Sequence, residues 1–172
     1  MNSTKSLRAL DSNTESIVVM IDQKEDIYFN KLDVSRFVNL KSLVVGDSTC
    51  NYLSGFNVNG MQQLETIRIG INSLRCKSYG PCTFSVKKCS SLKEIMIEHY
   101  SCQSHKSVVI EDNPSLEAIG IGLFYFDSHN FPGTSFELKS LFLALTMMNR
   151  FTQFEITGYW CRCDVSLSSS CI

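Results

Sequence analysis

The sequence predicts a mainly β solenoid with little helix, in which short parallel strands are stacked in successive coils. Three observations predict it. A line of constant length recurs along the chain, each line holds two stretches that alternate apolar and other residues, and the apolar positions agree from line to line. The lines are LDVSRFVNLKSLVVG from Leu32, FNVNGMQQLETIRIG from Phe56, FSVKKCSSLKEIMIE from Phe84 and VVIEDNPSLEAIGIG from Val108.

Each line reads apolar-x-apolar, five residues, Leu, two residues, Leu or Ile, one residue, Val or Ile. The anchor leucines are Leu40, Leu64, Leu92 and Leu116, so a short spacing is followed by a longer one and then by the short one again. The next start, at Phe136, follows Val108 at the longer spacing, so the period alternates between two lengths.

Both alternating stretches of a line are predicted to be strands whose apolar side chains point inward, because strand side chains alternate between two faces. Stacking the coils turns these side chains into continuous buried ladders, and a single coil alone cannot offset the entropy of ordering its backbone. The ladders predicted for the inner strands are Val19, Leu43, Ile67, Ile95, Ile119 and Ile21, Val45, Ile69, Ile97, Ile121.

The ends of the array are less regular. We predict an array over residues 1–141, with a worn half-repeat from about residue 17, in which Val19 and Ile21 precede Leu43 and Val45 at the shorter spacing. Residues 142–172 are predicted to be a divergent cap or tail, in which the pair Phe154 and Ile156 is either one more outer strand or unrelated to the repeat.

Three glycines follow the inner strand at one equivalent position, namely Gly46, Gly70 and Gly122. Glycine adopts positive φ angles without steric cost, so we expect a turn of that kind at the end of each strand.

The repeat resembles that of leucine-rich repeat proteins over roughly residues 17 to 141. The line FSVKKCSSLKEIMI, with Phe84, Cys89, Leu92, Ile95 and Ile97, is similar to the pattern of the irregular BspA-like subclass, which is common in surface and interaction proteins of bacteria and protists. The resemblance implies a solenoid, no cofactor and binding of another macromolecule.

The exposed face of the inner sheet is the candidate binding surface, because its outward side chains lie in columns across the coils. The alternative is an ordinary solvated face. The first column holds Ser42, Thr66, Glu94 and Ala118, and the second holds Val44, Arg68, Met96 and Gly120.

The cysteines and histidines give weaker signals. Cys89 occupies a core position and is expected to pack as a small apolar residue. Cys76 and Cys82 flank a turn and can form a disulfide only in an oxidising compartment; otherwise reduced thiols are expected. A zinc site from Cys161, Cys163, Cys171 and a histidine is an open alternative with unsuitable spacing. The three histidines, His99, His105 and His129, are expected to be solvated.

Composition narrows the function. The chain has 172 residues, 44% apolar and 19% charged, with a net charge of −1, so we expect one soluble domain and no nucleic-acid partner. No apolar run is long enough to span a membrane. The N-terminus does not resemble a secretory signal, which favours a cytoplasmic location unless the chain is a fragment of a surface protein.

These observations predict a scaffold that is not an enzyme, that holds no metal or cofactor, and that binds another protein, with self-association through open solenoid ends as a further expectation. The alternatives are a cell-surface adhesin or antigen and a carbohydrate-active parallel β-helix enzyme.

Overall fold

The computed structural model describes residues 7, 9–21, 23–76, 81–123, 135–139, 153–156 and 164–167. The described chain is a mainly β solenoid of stacked parallel strands, as predicted. It forms two sheets, and from the second strand onward the chain alternates between them. One helical turn, α1 (Gln23–Asp26), interrupts the first coil.

The six-stranded sheet has the order β1 (Ser16–Val19), β2 (Ser42–Val45), β4 (Thr66–Ile69), β6 (Glu94–Glu98), β8 (Ala118–Leu123), β10 (Gln153–Ile156). The five-stranded sheet has the order β11 (Asp164–Leu167), β9 (Ser135–Lys139), β7 (His105–Glu111), β5 (Cys82–Lys87), β3 (Phe56–Asn59).

The predicted ladders are confirmed from β2 to β8. Leu43 pairs with Ile67, Ile67 with Ile95, and Ile95 with Ile119, and the second ladder runs in the same register. These side chains and the four anchor leucines are buried in one core cluster. Each fully buried Ile or Leu contributes roughly 1.5–3 kcal/mol, so the ladders are the main source of cohesion between coils.

The first coil differs from the prediction by two residues. Ile17, rather than Val19, pairs with Leu43, and Val19 pairs with Val45. The expected pairing of Ile21 with Val45 is therefore wrong, and Ile21 lies just beyond β1. The separation of Ile17 and Leu43 is longer than the shorter spacing of the repeat because α1 lies between them.

The apolar pair at the start of the first line does not form the predicted strand. Leu32 and Val34 are buried, but the five-stranded sheet begins only at β3. The Asp33 carboxylate accepts hydrogen bonds from the backbone N–H and the hydroxyl of Ser35, at 3.2 and 2.7 Å. This local turn competes with the pairing of the backbone into a sheet.

The C-terminal strands continue both sheets. β10 pairs with β8 in the six-stranded sheet, with Phe154 beside Ile119 and Ile156 beside Ile121. Phe154 and Ile156 therefore belong to an inner strand, and both predictions for this pair, an outer strand and a segment unrelated to the repeat, are wrong. The five-stranded sheet is extended by β11, which pairs with β9. The rest of 142–172 lies outside the described residues, and its role as a cap or tail stays a prediction.

The positive φ predicted for the three glycines that follow the inner strands is confirmed at Gly122 and wrong at Gly46 and Gly70. Of the three, Gly122 has a positive φ, of 69°, whereas Gly46 and Gly70 do not. A Cβ atom on Gly70 would lie 2.8 Å from the carbonyl carbon of Gly46, and one on Gly46 would lie 3.0 Å from Met20 Cγ. Glycine at these two positions therefore permits close contact between neighbouring coils.

None of the helices in the described part of the chain has the length and apolar character needed to cross a membrane.

Candidate binding surfaces

The predicted columns of the six-stranded sheet are present. Ser42 pairs with Thr66 and Thr66 with Glu94, while Val44 pairs with Arg68 and Arg68 with Met96. Ala118 and Gly120 continue the two columns on β8. Arg68 is exposed and Gly120 is buried, and the other six residues of the two columns are half-buried. We call the outward side chains of β1, β2, β4 and β6 the sheet face.

Two polar contacts order the sheet face. The Thr66 hydroxyl donates a hydrogen bond to the Ser42 hydroxyl at 3.1 Å. Arg68 Nη2 donates to Glu94 Oε2 at 3.0 Å, with the arginine side chain 60% exposed. The guanidinium is therefore held in position but still accessible to a partner.

The sheet face also contains an apolar group on β1 and just beyond it, which the columns predicted from the sequence did not include. Val18 pairs with Val44, and Val18 and Met20 are 46% and 57% exposed. The position of Gly46 leaves room for the Met20 side chain beside it. The alternation of inward and outward residues along β1 could have indicated this group in the sequence. The predicted columns began at β2, one coil too late.

Alternating charges line one margin of the sheet face, a second feature that the sequence analysis missed. The residue after each anchor leucine occupies this position, as does Glu15 in the first coil, and backbone hydrogen bonds join each member to the one before it. The series, which we call the charge ladder, is Glu15, Lys41, Glu65, Lys93 and Glu117.

Two ion pairs are formed within the charge ladder. Lys41 Nζ lies 3.0 Å from Glu15 Oε2, and Lys93 Nζ lies 2.9 Å from Glu65 Oε2. The hydrogen bond from Lys93, together with its charge, lowers the pKa of Glu65, and the same contact raises the pKa of Lys93. Each carboxylate of this margin is therefore adjacent to a lysine.

Buried hydroxyls support the turns behind the sheet face. Thr49, Ser73 and Ser101 are buried at equivalent positions. The Ser73 hydroxyl accepts a hydrogen bond from the Thr49 N–H at 3.3 Å and donates to the Gly46 carbonyl at 2.6 Å. Ser101 repeats this arrangement with the Ser73 N–H and the Gly70 carbonyl, at 3.0 and 2.6 Å. These contacts fix the ends of β2 and β4.

The structure contains a groove on the opposite side of the solenoid, which the sequence did not indicate. It has a volume of about 740 Å³ and is lined by segment 31–35, by residues 54–59 and by the β5 residues Thr83, Ser85 and Lys87. This volume is in the range of ligand-binding clefts. We call it the β3 groove.

Two of the described cysteines form a disulfide. Cys76 and Cys82 are bonded, with their Cα atoms 6.3 Å apart, so of the two alternatives for this pair the structure has the oxidised one.

The other described cysteines, Cys50, Cys89 and Cys102, are free and buried. Burial raises the pKa of all three thiols, that of Cys50 to about 12 with a smaller contribution from Asp26. The core position of Cys89 is confirmed, and thiols of this kind are poor nucleophiles. Cys161, Cys163 and Cys171, and with them the alternative zinc site, lie outside the described residues.

The histidine prediction is wrong for both histidines that the structure describes. His99 and His105 are buried, the latter at the start of β7 with its ring 6.3 Å from that of Phe84. Burial lowers the pKa of His105 to about 4. His129 lies outside the described residues. Within the described ranges, no group of three or more His, Cys, Asp or Glu residues is arranged to hold a metal ion.

Comparison of the chain with protein-family models, with curated proteins and with solved structures finds no match.

Proposed function

We propose that this protein is a non-enzymatic scaffold of the leucine-rich repeat kind, which binds another protein through its sheet face. The observation that carries the proposal is the group of Val18, Met20 and Val44 beside Arg68 on a regular sheet. Exposed apolar side chains next to an accessible arginine are typical of the centre of a protein interface.

The rigidity of the surface supports this role. The strands beneath the sheet face are held by buried ladders, and the turns behind them by buried hydroxyls. A surface that is already ordered loses little conformational entropy when a partner binds. The partner we expect is a folded protein with an apolar centre and a carboxylate that shares Arg68 with Glu94.

The margin of the sheet face argues against a carbohydrate-active enzyme. Most glycoside hydrolases use two carboxyl groups that face one another across the scissile bond of the substrate. In the charge ladder, Lys41 separates Glu15 from Glu65, and Lys93 separates Glu65 from Glu117. This arrangement favours a binding role.

The test is a quantitative pull-down with two matched variants. Val18→Asp combined with Arg68→Glu places charge on the sheet face and reverses its guanidinium. Val38→Asp combined with Lys88→Glu changes the net charge equally at exposed positions away from both surfaces. We expect specific partners to be recovered by the wild type and the control pair, and to be lost with the sheet-face pair. Equal recovery by all three baits would refute the proposal.

A second candidate, a cell-surface adhesin or antigen, is favoured by the disulfide between Cys76 and Cys82, because disulfides persist in oxidising compartments. The protein should be taken from its native source under conditions that alkylate free thiols at once. Mass spectrometry of the fragment containing both cysteines then decides: a bonded pair supports a surface location, and two alkylated thiols would exclude it.

A further inference from the structure

We infer that Met20 is a modification site, at which a peroxide oxidises the thioether to a sulfoxide and thereby weakens binding at the sheet face. The inference rests on the proposed function, since the sheet face is the surface whose binding changes. Met20 follows β1 directly and is 57% exposed. It lies on the same side of the chain as the exposed Val18, because residues two apart in an extended segment point to one face.

The contact with Gly46 places the Met20 side chain on the surface of the solenoid. A Cβ atom on Gly46 would lie 3.0 Å from Met20 Cγ and 3.9 Å from the Met20 sulfur. The thioether is therefore packed over the turn that follows β2 and lies outside the core. Since more than half of Met20 is exposed, the oxygen of a sulfoxide can be accommodated at the surface.

The other described sulfur-containing residues are better protected from an oxidant. Met61 is 5% exposed, and Met96 is half-buried. The three free cysteines are buried, and burial raises the pKa of their thiols, which react as thiolates. The remaining two described cysteines are bonded to each other. Of all these residues, Met20 is therefore the first that a peroxide attacks.

The modification is a two-electron oxidation of the sulfur atom. The Met20 sulfur attacks one oxygen of hydrogen peroxide, the O–O bond breaks, and an S–O bond forms. The hydroxide that leaves takes the proton from the new S–OH group, so the products are the sulfoxide and water. The sulfur loses two electrons, and the peroxide gains them.

The sulfoxide places a polar group in the apolar part of the sheet face. Met20 lies there with Val18 and Val44, the group that carries the proposed interface. A polar oxygen that is buried against an apolar partner without a hydrogen bond destabilises the complex. The buried ladders beneath the face do not include Met20, so oxidation weakens binding and leaves the fold intact.

The order of oxidation tests the site without reference to any partner. The full chain is treated with hydrogen peroxide, and sulfoxide is measured by mass spectrometry in the tryptic peptides, which separate Met20, Met61 and Met96. Met20 should react about tenfold faster than Met61, with Met96 between them, and the three rates should converge in the urea-unfolded chain. A rate for Met20 no greater than that of either other methionine in the folded chain would overturn the proposal.

The effect on binding is tested with one partly oxidised sample of the wild type. The sample is passed over the immobilised proteins that the wild type recovers and that Val18→Asp combined with Arg68→Glu loses. Met20 sulfoxide should be about fivefold less abundant in the bound chains than in the unbound chains. Equal abundance in the two fractions would overturn the proposal.

A matched pair of variants assigns the effect to one sulfur atom. Met20→Leu and Met96→Leu are oxidised for the same short time, and each is compared with its own untreated sample. Oxidation should reduce the recovery of partners by Met96→Leu as much as by the wild type, and should change it little for Met20→Leu. Equal reductions in both variants would overturn the proposal.

The outcomes separate this inference from the proposed function. If no protein is recovered by the wild type and lost by the sheet-face pair, the proposed function is refuted, and the control of binding by Met20 falls with it. If such proteins bind chains with and without Met20 sulfoxide equally, the proposed function stands and this inference is overturned. A loss of the β signal in circular dichroism in step with Met20 oxidation would also overturn it, because binding would then be lost by unfolding.

Discussion

Individual residues depart from the repeat where a polar group is buried in the core. Asn113 occupies the position of Cys89 one coil later, and its side chain is fully buried. Its carbonyl oxygen accepts from the Cys89 N–H at 2.9 Å, and its amide donates to the Val86 carbonyl at 3.0 Å. The equivalence of the two positions could be predicted from the sequence. The hydrogen bonds could not, because they depend on backbone groups of the neighbouring coil.

His105 makes the stability of the protein depend on pH. Its pKa in the folded chain is lowered to about 4, below the ordinary value of 6.5, because burial disfavours the charged ring. The unfolded chain therefore binds more protons between these values, and stability falls as the pH falls from about 6.5 to about 4. The contribution lost is on the order of 3 kcal/mol.

The variant His105→Leu should flatten this dependence. Urea unfolding at a series of pH values, with wild type and variant side by side, measures the difference between the two free energies of unfolding. That difference should change steadily in favour of the variant as the pH is lowered from 6.5 to 4. A constant difference across this range would contradict the assigned cause.

At the scale of the element, the strands of the repeat could be predicted because their apolar steps are regular. Val45, Ile69 and Ile97 pair as expected. The prediction was wrong at Leu32 and Val34, where the same apolar step is present but the turn between Asp33 and Ser35 prevents a strand. That absent strand is what leaves β3 with a free edge, so the β3 groove could not be predicted from the repeat alone.

The two glycines that follow β2 and β4 should differ in their tolerance of a side chain. In Gly70→Ala the added Cβ would meet the backbone of Gly46, which cannot move without shifting a coil. In Gly46→Ala it would lie 3.0 Å from Cγ of the flexible Met20 side chain and 3.3 Å from the Val19 carbonyl oxygen, a milder conflict. We expect a loss of about 1–3 kcal/mol for Gly70→Ala and a smaller one for Gly46→Ala, measured by chemical unfolding. Equal losses would show that contact between coils is not the reason for these glycines.

For the whole molecule, the two-sheet solenoid could be predicted from the period of the repeat, whereas the first coil could not be placed correctly. The insertion of α1 moves β1 by two residues against the expected register. The sheet face was predicted from β2 onward, and its apolar extension at Val18 and Met20 was missed although the alternation along β1 is present in the sequence.

The end of the six-stranded sheet leads us to expect self-association. β1 is the terminal strand of that sheet, and it carries the exposed Val18. Exposed strand edges are templates for pairing with other chains, and a charged side chain on the edge opposes such pairing. The weight-average mass in analytical ultracentrifugation should therefore rise with concentration for the wild type and for Val38→Lys, but not for Val18→Lys. A wild type that stays monomeric at all concentrations would contradict this expectation.

The charge ladder also bears on how such a chain can gain or lose coils during evolution. Loss of the one coil that carries Lys93 would bring Glu65 beside Glu117, and the two carboxylates would repel each other. Loss of two consecutive coils would instead bring Lys41 beside Glu117, and the alternation of sign would survive. Two coils also make up one full cycle of the short and long spacings between the anchor leucines. The array is thus suited to duplication or deletion in pairs.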